Sequence, residues 1–278
     1  MADWLFTSDL HGQTALYEQA LALAAARAPR ALLLGGDLAP HGAGLEGLAR
    51  QRLFFAGFFV EFARRLREAS PGTQMFVLMG NDDWADNFAL LEREHGGLWH
   101  VMHERVTELD GWQIAGCSWV PITPFTMKDW ERWEDGGEEH PARLEGLRSR
   151  AGTLEPCRFD PAHRAPTIAE SLHALGARLE PARCVLVSHS PPRDTHCDVT
   201  MMRQHVGSRA LRAFVAARQP ALVLSGHIHE SARQSNAWHD RIGATPVVNP
   251  GQFGSSRLCA VWFDPGRIGD TLRHTVHD

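Results

Sequence analysis

Cysteine is sparse in this 278-residue sequence. The five present (Cys117, Cys157, Cys184, Cys197 and Cys259) are scattered, odd in number and without a CxxC pair. That excludes a disulfide framework and reads as reduced thiols in a cytoplasmic protein. Positive charge is also short: the net charge is −5. A protein that wraps nucleic acid needs an excess of Lys and Arg, so extended nucleic-acid binding is not expected. A small phosphate ligand stays open, because bound metal can supply its own charge. The aromatic run from Leu53 to Val60 is bounded by Arg52 and Glu61 and is far too short to span a bilayer. Met1-Ala2-Asp3-Trp4 carries neither the basic nor the apolar region of a signal peptide. No membrane association is expected, repeats and low-complexity segments are missing, and composition says nothing of the oligomer.

What is present is ordinary in bulk, with 44% hydrophobic and 22% charged residues, enough for a sizeable core. Sixteen histidines stand out. The first part alternates short apolar runs with helical patterns, as β–α–β units do. Strands are predicted over Trp4 to Ser8, Ala31 to Gly35 and Gln74 to Met79, and helices over Gln13 to Arg27, Leu45 to Ala69 and Ala85 to His95. Leu48, Phe55, Phe58, Phe59, Phe62 and Leu66 give the second helix a buried stripe. Further strands are predicted near Leu98 to His103 and over Trp112 to Cys117. From Pro121 to Pro166 periodicity is lost, which predicts an irregular lid or insertion. Then come a helix over Thr167 to Glu180, a strand over Cys184 to Ser188, a helix over Ser208 to Arg218 and a strand over Ala221 to Ser225. From Ala232 the alternation predicts an antiparallel meander. Two sheets packed face to face with outer helices accommodate this order.

The chemistry lies where strands end. The first runs into Ser8-Asp9-Leu10-His11, the second into Gly35-Gly36-Asp37, and the third into Gly80-Asn81-Asp82-Asp83. Later strands run into Ser188-His189-Ser190 and Gly226-His227-Ile228-His229. Loops at the carboxyl ends of strands in an α/β sheet gather at one edge, so these residues are expected to meet. Carboxylate and amide oxygens suit hard cations such as Mn²⁺, and imidazoles suit Zn²⁺, Fe and Mn²⁺. A carboxylate shared by two ions is the two-metal arrangement of phosphatases. Any one of these pieces alone is a helix cap or a structural histidine as readily as a ligand. Their joint, ordered occurrence carries the reading.

Taken together, Asp9-Leu10-His11, Gly36-Asp37, Gly80-Asn81, Ser188-His189 and Gly226-His227-Ile228-His229 resemble the calcineurin-like metallophosphoesterases. The resemblance covers nearly the whole chain. It implies one α/β domain over 1–278, a four-layer α/β/β/α sandwich of two mixed sheets, with a lid-like insertion at about 121–166. Pro121-Ile122-Thr123-Pro124-Phe125, Lys128-Asp129-Trp130-Glu131, Ser190-Pro191-Pro192, His205-Val206-Gly207-Ser208-Arg209 and Asn249-Pro250-Gly251 are similar to a prokaryotic group related to cyclic-nucleotide phosphodiesterases. The resemblance implies two divalent ions (Mn, Fe or Zn, with Mn favoured). Asp9, His11, Asp37 and His229 would hold one; Asp37, Asn81, His189 and His227 would hold the other. It implies hydrolysis of a small phosphate ester by a hydroxide between the ions, with Asp37, Asn81, Asp82 and His189 as catalytic residues. A phosphodiester or nucleotide is the expected substrate, with a phosphomonoesterase or protein phosphatase as the alternative. A binding scaffold is the non-enzymatic alternative, and scaffolds of this fold lose ligands that are all retained here. One departure stands out: the family's usual Gly-Asn-His becomes Gly80-Asn81-Asp82, which replaces a phosphate-contacting histidine with a carboxylate.

Other candidates have plainer readings beside them. Gly207-Ser208-Arg209 opens a helix and offers an anion site, or simply a Ser cap. His41, Lys128, Trp130 and Trp133 are candidates for the substrate mouth, or anchors for the insertion. His196 and His205 follow the His189 loop, where surface placement is the plainer reading. Glu131 to Glu139 reads as a solvated loop.

Overall fold

The computed structural model describes residues 3–135, 143–254 and 256–277. Strands β1 (Trp4–Thr7), β2 (Ala31–Leu34), β3 (Gln74–Val77) and β4 (His100–Val101) lie parallel and side by side. β5 (Val106–Leu109) and β6 (Trp112–Cys117) form an antiparallel pair at the edge of a second sheet. Within the insertion, β7 (Val120–Pro121) pairs with β8 (Glu131–Arg132), and β9 (Glu145–Arg150) with β10 (Thr153–Arg158). β11 (Cys184–Ser188), β12 (Leu222–Leu224), β13 (His239–Ile242) and β14 (Thr245–Val248) return to the second sheet. β15 (Ala260–Phe263) and β16 (Arg273–His274) return to the first. The two six-stranded sheets run β16-β15-β1-β2-β3-β4 and β13-β14-β12-β11-β6-β5.

Why these runs become central strands is visible in where alternate residues go. Trp4, Phe6, Leu33 and Phe76 share one core with Val185, Val187, Leu222 and Leu224 of the other sheet. The residues between them, Leu5, Leu32, Leu34 and Val77, pack instead with α1 (Thr14–Arg27), α2 (Leu45–Phe54) and α3 (Val60–Ala69). On the far side, Leu186 and Val223 pack against α4 (Ile168–Gly176) and α5 (Arg209–Arg218). Strands buried on both faces read as continuous apolar runs, the pattern of parallel sheets covered by helices. The result is helix, sheet, sheet, helix, as the sequence predicts.

Four details differ from the sequence reading. The long second helix is interrupted by a π-helical turn at Phe55–Phe59, which brings Phe54, Phe58, Phe59 and Phe62 all around the Tyr17 ring at 5.0–6.2 Å. Phe54 is buried, as expected of a core stripe from Phe54 to Phe62, and Phe58 is only half-buried. The helix over Ala85 to His95 is one short α-helical turn, Phe88–Glu92, between 3₁₀ turns. Asp86 and Asn87 there are bound by Arg52. The tail is not one meander. β13–β14 and β15–β16 are separate hairpins added to different sheets, because Val247 and Val248 pair with β12 while Val261 pairs with β1.

The insertion is not irregular either. β9 and β10 form a hairpin of two six-residue strands, missed because its side chains are exposed or half-buried and leave no apolar alternation. Polar contacts fix its place: Ser149 N donates to Asp129, Gly152 N donates to Asp86, and Leu147 exchanges backbone bonds with Thr126 and Lys128. Lys128, the one lysine of the sequence, is fully buried and pairs with Glu131 at 2.7 Å. Glu131 also receives the Thr123 hydroxyl. Glu131 to Glu134 is therefore built in and not a solvated loop, while Asp135 is exposed; residues 136–139 of that stretch lie outside the described residues.

Candidate metal centre

The strand-end residues converge. Asp9, His11, Asp37 and His229 place one ligand atom each within 4.8 Å of one another. The His11 and His229 Nε2 atoms lie 3.1 Å apart, His229 Nε2 lies 3.3 Å from Asp9, and His11 Nε2 lies 3.7 Å from Asp37 Oδ2. On the other side, the same Asp37 Oδ2 is 3.4 Å from His189 Nε2, which is itself 3.1 Å from Asn81 Oδ1. The His227 ring stands 5.3 Å from that of His189. Asp37 thus lies between two ligand groups, where a bridging carboxylate belongs.

Local backbone geometry aims these side chains. Asp9, His11, Asp37 and His227 all have positive φ, between 44° and 67°. Non-glycine residues rarely take that conformation, and such strain gathers at functional sites. Two glycines let the loops close. A Cβ on Gly80 would sit 2.3 Å from Asp37 Oδ1, and one on Gly226 would sit 2.3 Å from Asp9 Oδ2. Backbone amides finish the orientation: His227 N donates to Asp9 and Asp82 N donates to Asp37 Oδ1. Gly35 O pairs with His189 Nδ1 at 2.9 Å, which leaves Nε2 for the centre.

The electrostatics fit a cationic guest. Burial raises the Asp9 carboxyl, but His229 and His189 outweigh it and hold it below its ordinary value. Burial acts likewise on Asp37, and His189 and His11 carry it far below the carboxylate range. Burial lowers His189 and His229, yet Asp37 and Asp9 respectively push each up to about 9. His227, buried beside charged His189, is pushed down to about 3. Two ionised carboxylates and two imidazoles kept protonated by them are the response of a cluster whose negative charge calls for cations. Cation binding would displace those protons.

Asp82 is placed differently. Its carboxylate pairs with His41 Nδ1 and lies 3.7 Å from His11 Nδ1, and the His41 ring stacks on His11 at 3.7 Å. Asp82 thus stands apart from the Asp9, Asp37 and His229 group, but with His11 and His41 it forms a second group whose ligand atoms lie within 4.8 Å of one another. Asp83, by contrast, is wholly buried and accepts the amides of Leu38, Ala39 and Gly80; burial and then Asp37 push its carboxyl up to about 7.

The other candidates separate. His41 does sit at the mouth, with Asp82, Phe125 and Arg143, in a cavity of about 570 Å³. Lys128, Trp130 and Trp133 are buried and anchor the insertion; Trp130 Nε1 donates to Asp83 O. The N-terminus of α5 is filled from within, since Glu134 accepts from Ser208 Oγ, Arg209 N and Ala210 N. It offers no anion site. His196 and His205 pair with Asp240 and Asp198 and stay out of the cluster. Arg143 escaped the sequence reading, and Phe125 entered it only within the Pro121 to Phe125 stretch, because neither lies in a strand-end motif.

A family model for calcineurin-like phosphoesterases matches residues 4–231. The chain belongs to that family. No curated protein sequence matches it. Among solved structures it is similar to the TT1561 protein of Thermus thermophilus, at 20% identity and a TM-score of 0.58, covering 98% of this chain and 97% of that one. It is also similar to a dimetal phosphatase from Danio rerio, at 11% identity and a TM-score of 0.53, covering 94% and 92%. At these identities the likeness concerns the fold. Family and cluster together indicate a dinuclear divalent metal site in a metal-dependent phosphoesterase. No described helix is long and apolar enough to cross a membrane.

Proposed function

We propose that this phosphoesterase hydrolyses a small phosphodiester of the nucleotide type. The observation that carries the reading is Asp37 Oδ2, within 3.7 Å of His11 and 3.4 Å of His189, between two sets of ligands. Asp9, His11, Asp37 and His229 would hold one divalent cation, and Asp37, Asn81, His189 and His227 the other, with manganese the favoured metal. Bound there, the cations supply positive charge for the phosphoryl oxygens and lower the pKa of a water. The protein groups hold the site in shape: Gly35 O fixes the His189 ring and the Asp82 amide fixes Asp37. The His41–Asp82 pair stands at the rim, where it meets the ester group that departs.

Preference for a diester rests on room and charge at that rim. The cavity of about 570 Å³ beside His41 accepts a second ester substituent, with the half-exposed Phe125 ring as a stacking face and Arg143 as a cation. Asp82 adds a carboxylate near an anionic substrate, and Coulomb repulsion is larger against a monoester dianion than a diester monoanion. Comparing kcat/KM for bis- and mono-nitrophenyl phosphate, in wild type and Asp82→His, tests this. Wild type is expected to favour the diester, and Asp82→His to narrow the gap. A monoester preference that Asp82→His leaves unchanged would sink the diester reading.

A further inference from the structure

A separate cavity of about 400 Å³ opens within the insertion and shares no lining residue with the metal centre. Its size falls within the roughly 300–1,000 Å³ of small-molecule sites. Four arginines line it: Arg132, Arg148, Arg158 and Arg164. In a chain of net charge −5 that is a marked concentration of positive charge. Three of them lie over aromatic rings. Arg132 lies 3.4 Å over Trp119, Arg164 lies 4.6 Å over Trp133, and Arg148 lies 5.0 Å from Phe159. A stacked guanidinium is pre-oriented while its N–H edge stays open to an acceptor.

The acids nearby are already engaged. Asp129 accepts the amides of Ala85 and Ser149, Glu131 takes Lys128 and Thr123, and Asp160 takes the amide of Ala162 and His163. Arg164 Nε donates to Pro161 O, but Arg132 and Arg158 are less well matched. Arg132 reaches Ser171 Oγ but lies 3.8 Å from Glu104, and Arg158 Nε lies 3.5 Å from Glu145. The Arg132 guanidinium is held below its ordinary value by burial, with Glu104 opposing and Arg148 adding to the lowering. Like charges are thus gathered around one concave wall. A single carboxylate would neutralise one of them. A phosphoryl group offers more oxygens and more charge to several forks at once.

We propose that this cavity binds a phosphate-bearing small molecule, whose phosphoryl oxygens take the guanidinium edges of Arg132, Arg148 and Arg158. It is a binding site apart from the metal centre and does not depend on which ester that centre hydrolyses.

The test is calorimetric titration of the full chain with sodium pyrophosphate at low salt, where surface charge is least screened. Wild type, Asp37→Asn and the double variant Arg148→Gln/Arg158→Gln are compared. Both changed arginines are exposed, so the fold should survive, and circular dichroism checks it. Wild type and Asp37→Asn are expected to bind alike, and the double variant about tenfold or more weaker, the loss of a charge-assisted hydrogen bond. Turnover of bis-nitrophenyl phosphate should be unchanged in the double variant. ADP binding more tightly than pyrophosphate identifies a nucleotide, and equal affinity identifies the phosphates alone; either upholds the site. No binding, equal binding by the double variant, binding lost in Asp37→Asn, or citrate binding as tightly as pyrophosphate overturns it.

Discussion

At the metal centre, Asp9, Asp37, Asn81, His189 and His227 each follow within a few residues of a strand buried on both faces. Among the described residues between 121 and 166 the chain adds no strand to either main sheet. There, order comes from polar pairs: Lys128 with Glu131, Asp129 with Ser149, and Glu134 with the start of α5. The first region inherits its precision from apolar packing that positions loops without consuming their side chains. The second consumes its polar side chains to hold itself in place, and so leaves mainly arginines and Phe125 to meet ligands. The same residue types therefore carry chemistry in one region and architecture in the other.

Substitutions can break or sharpen that contrast. The largest effect is expected at the bridge: Asp37→Asn should cut kcat roughly a thousandfold in metal-saturated assays, with the circular dichroism spectrum kept. Undiminished turnover would remove Asp37 from the centre. Next is a purely architectural change in the insertion. Glu131→Gln strands a fully buried ammonium and should cost roughly 3–5 kcal/mol in denaturant unfolding. A midpoint like that of wild type would show that the pair is dispensable.

Gly80→Ala tests the claim that strand-end loops, and not only ligands, shape the centre. Its Cβ would fall 2.3 Å from Asp37 Oδ1, so metal affinity should drop roughly 10–100-fold while global stability changes little. Metal content by mass spectrometry after dialysis reads this directly. The smallest effect is expected at the mouth. Phe125→Ala should cost about 1 kcal/mol of stacking, seen as a several-fold rise in KM for aryl diesters with kcat nearly unchanged. A fall in kcat without a KM change would move Phe125 from binding to catalysis.

Much of this was legible because the buried strands write themselves as short apolar runs, and β6 and β11 have the predicted bounds. The candidate ligands were legible because Asp, Asn and His after such runs repeat five times. The β9–β10 hairpin was not, since its place depends on bonds to Asp86, Asp129 and Thr126, which lie outside it in the sequence. Nor was the role of Asp82: a carboxylate in place of the family histidine gives no hint that an imidazole from the loop after β2 comes to pair with it.

The sequence alone thus determined the layers of the sandwich and the set of candidate metal ligands, because short apolar runs and strand-end chemistry are local patterns. Tertiary structure alone decided which polar groups were free to act. Glu134 closes the α5 terminus, Lys128 and Trp130 are withdrawn into the insertion, and four arginines from separate segments gather at one wall. The physical reason is that a charged side chain is spent or available according to the partner that folding brings to it, and that partner is usually distant along the chain.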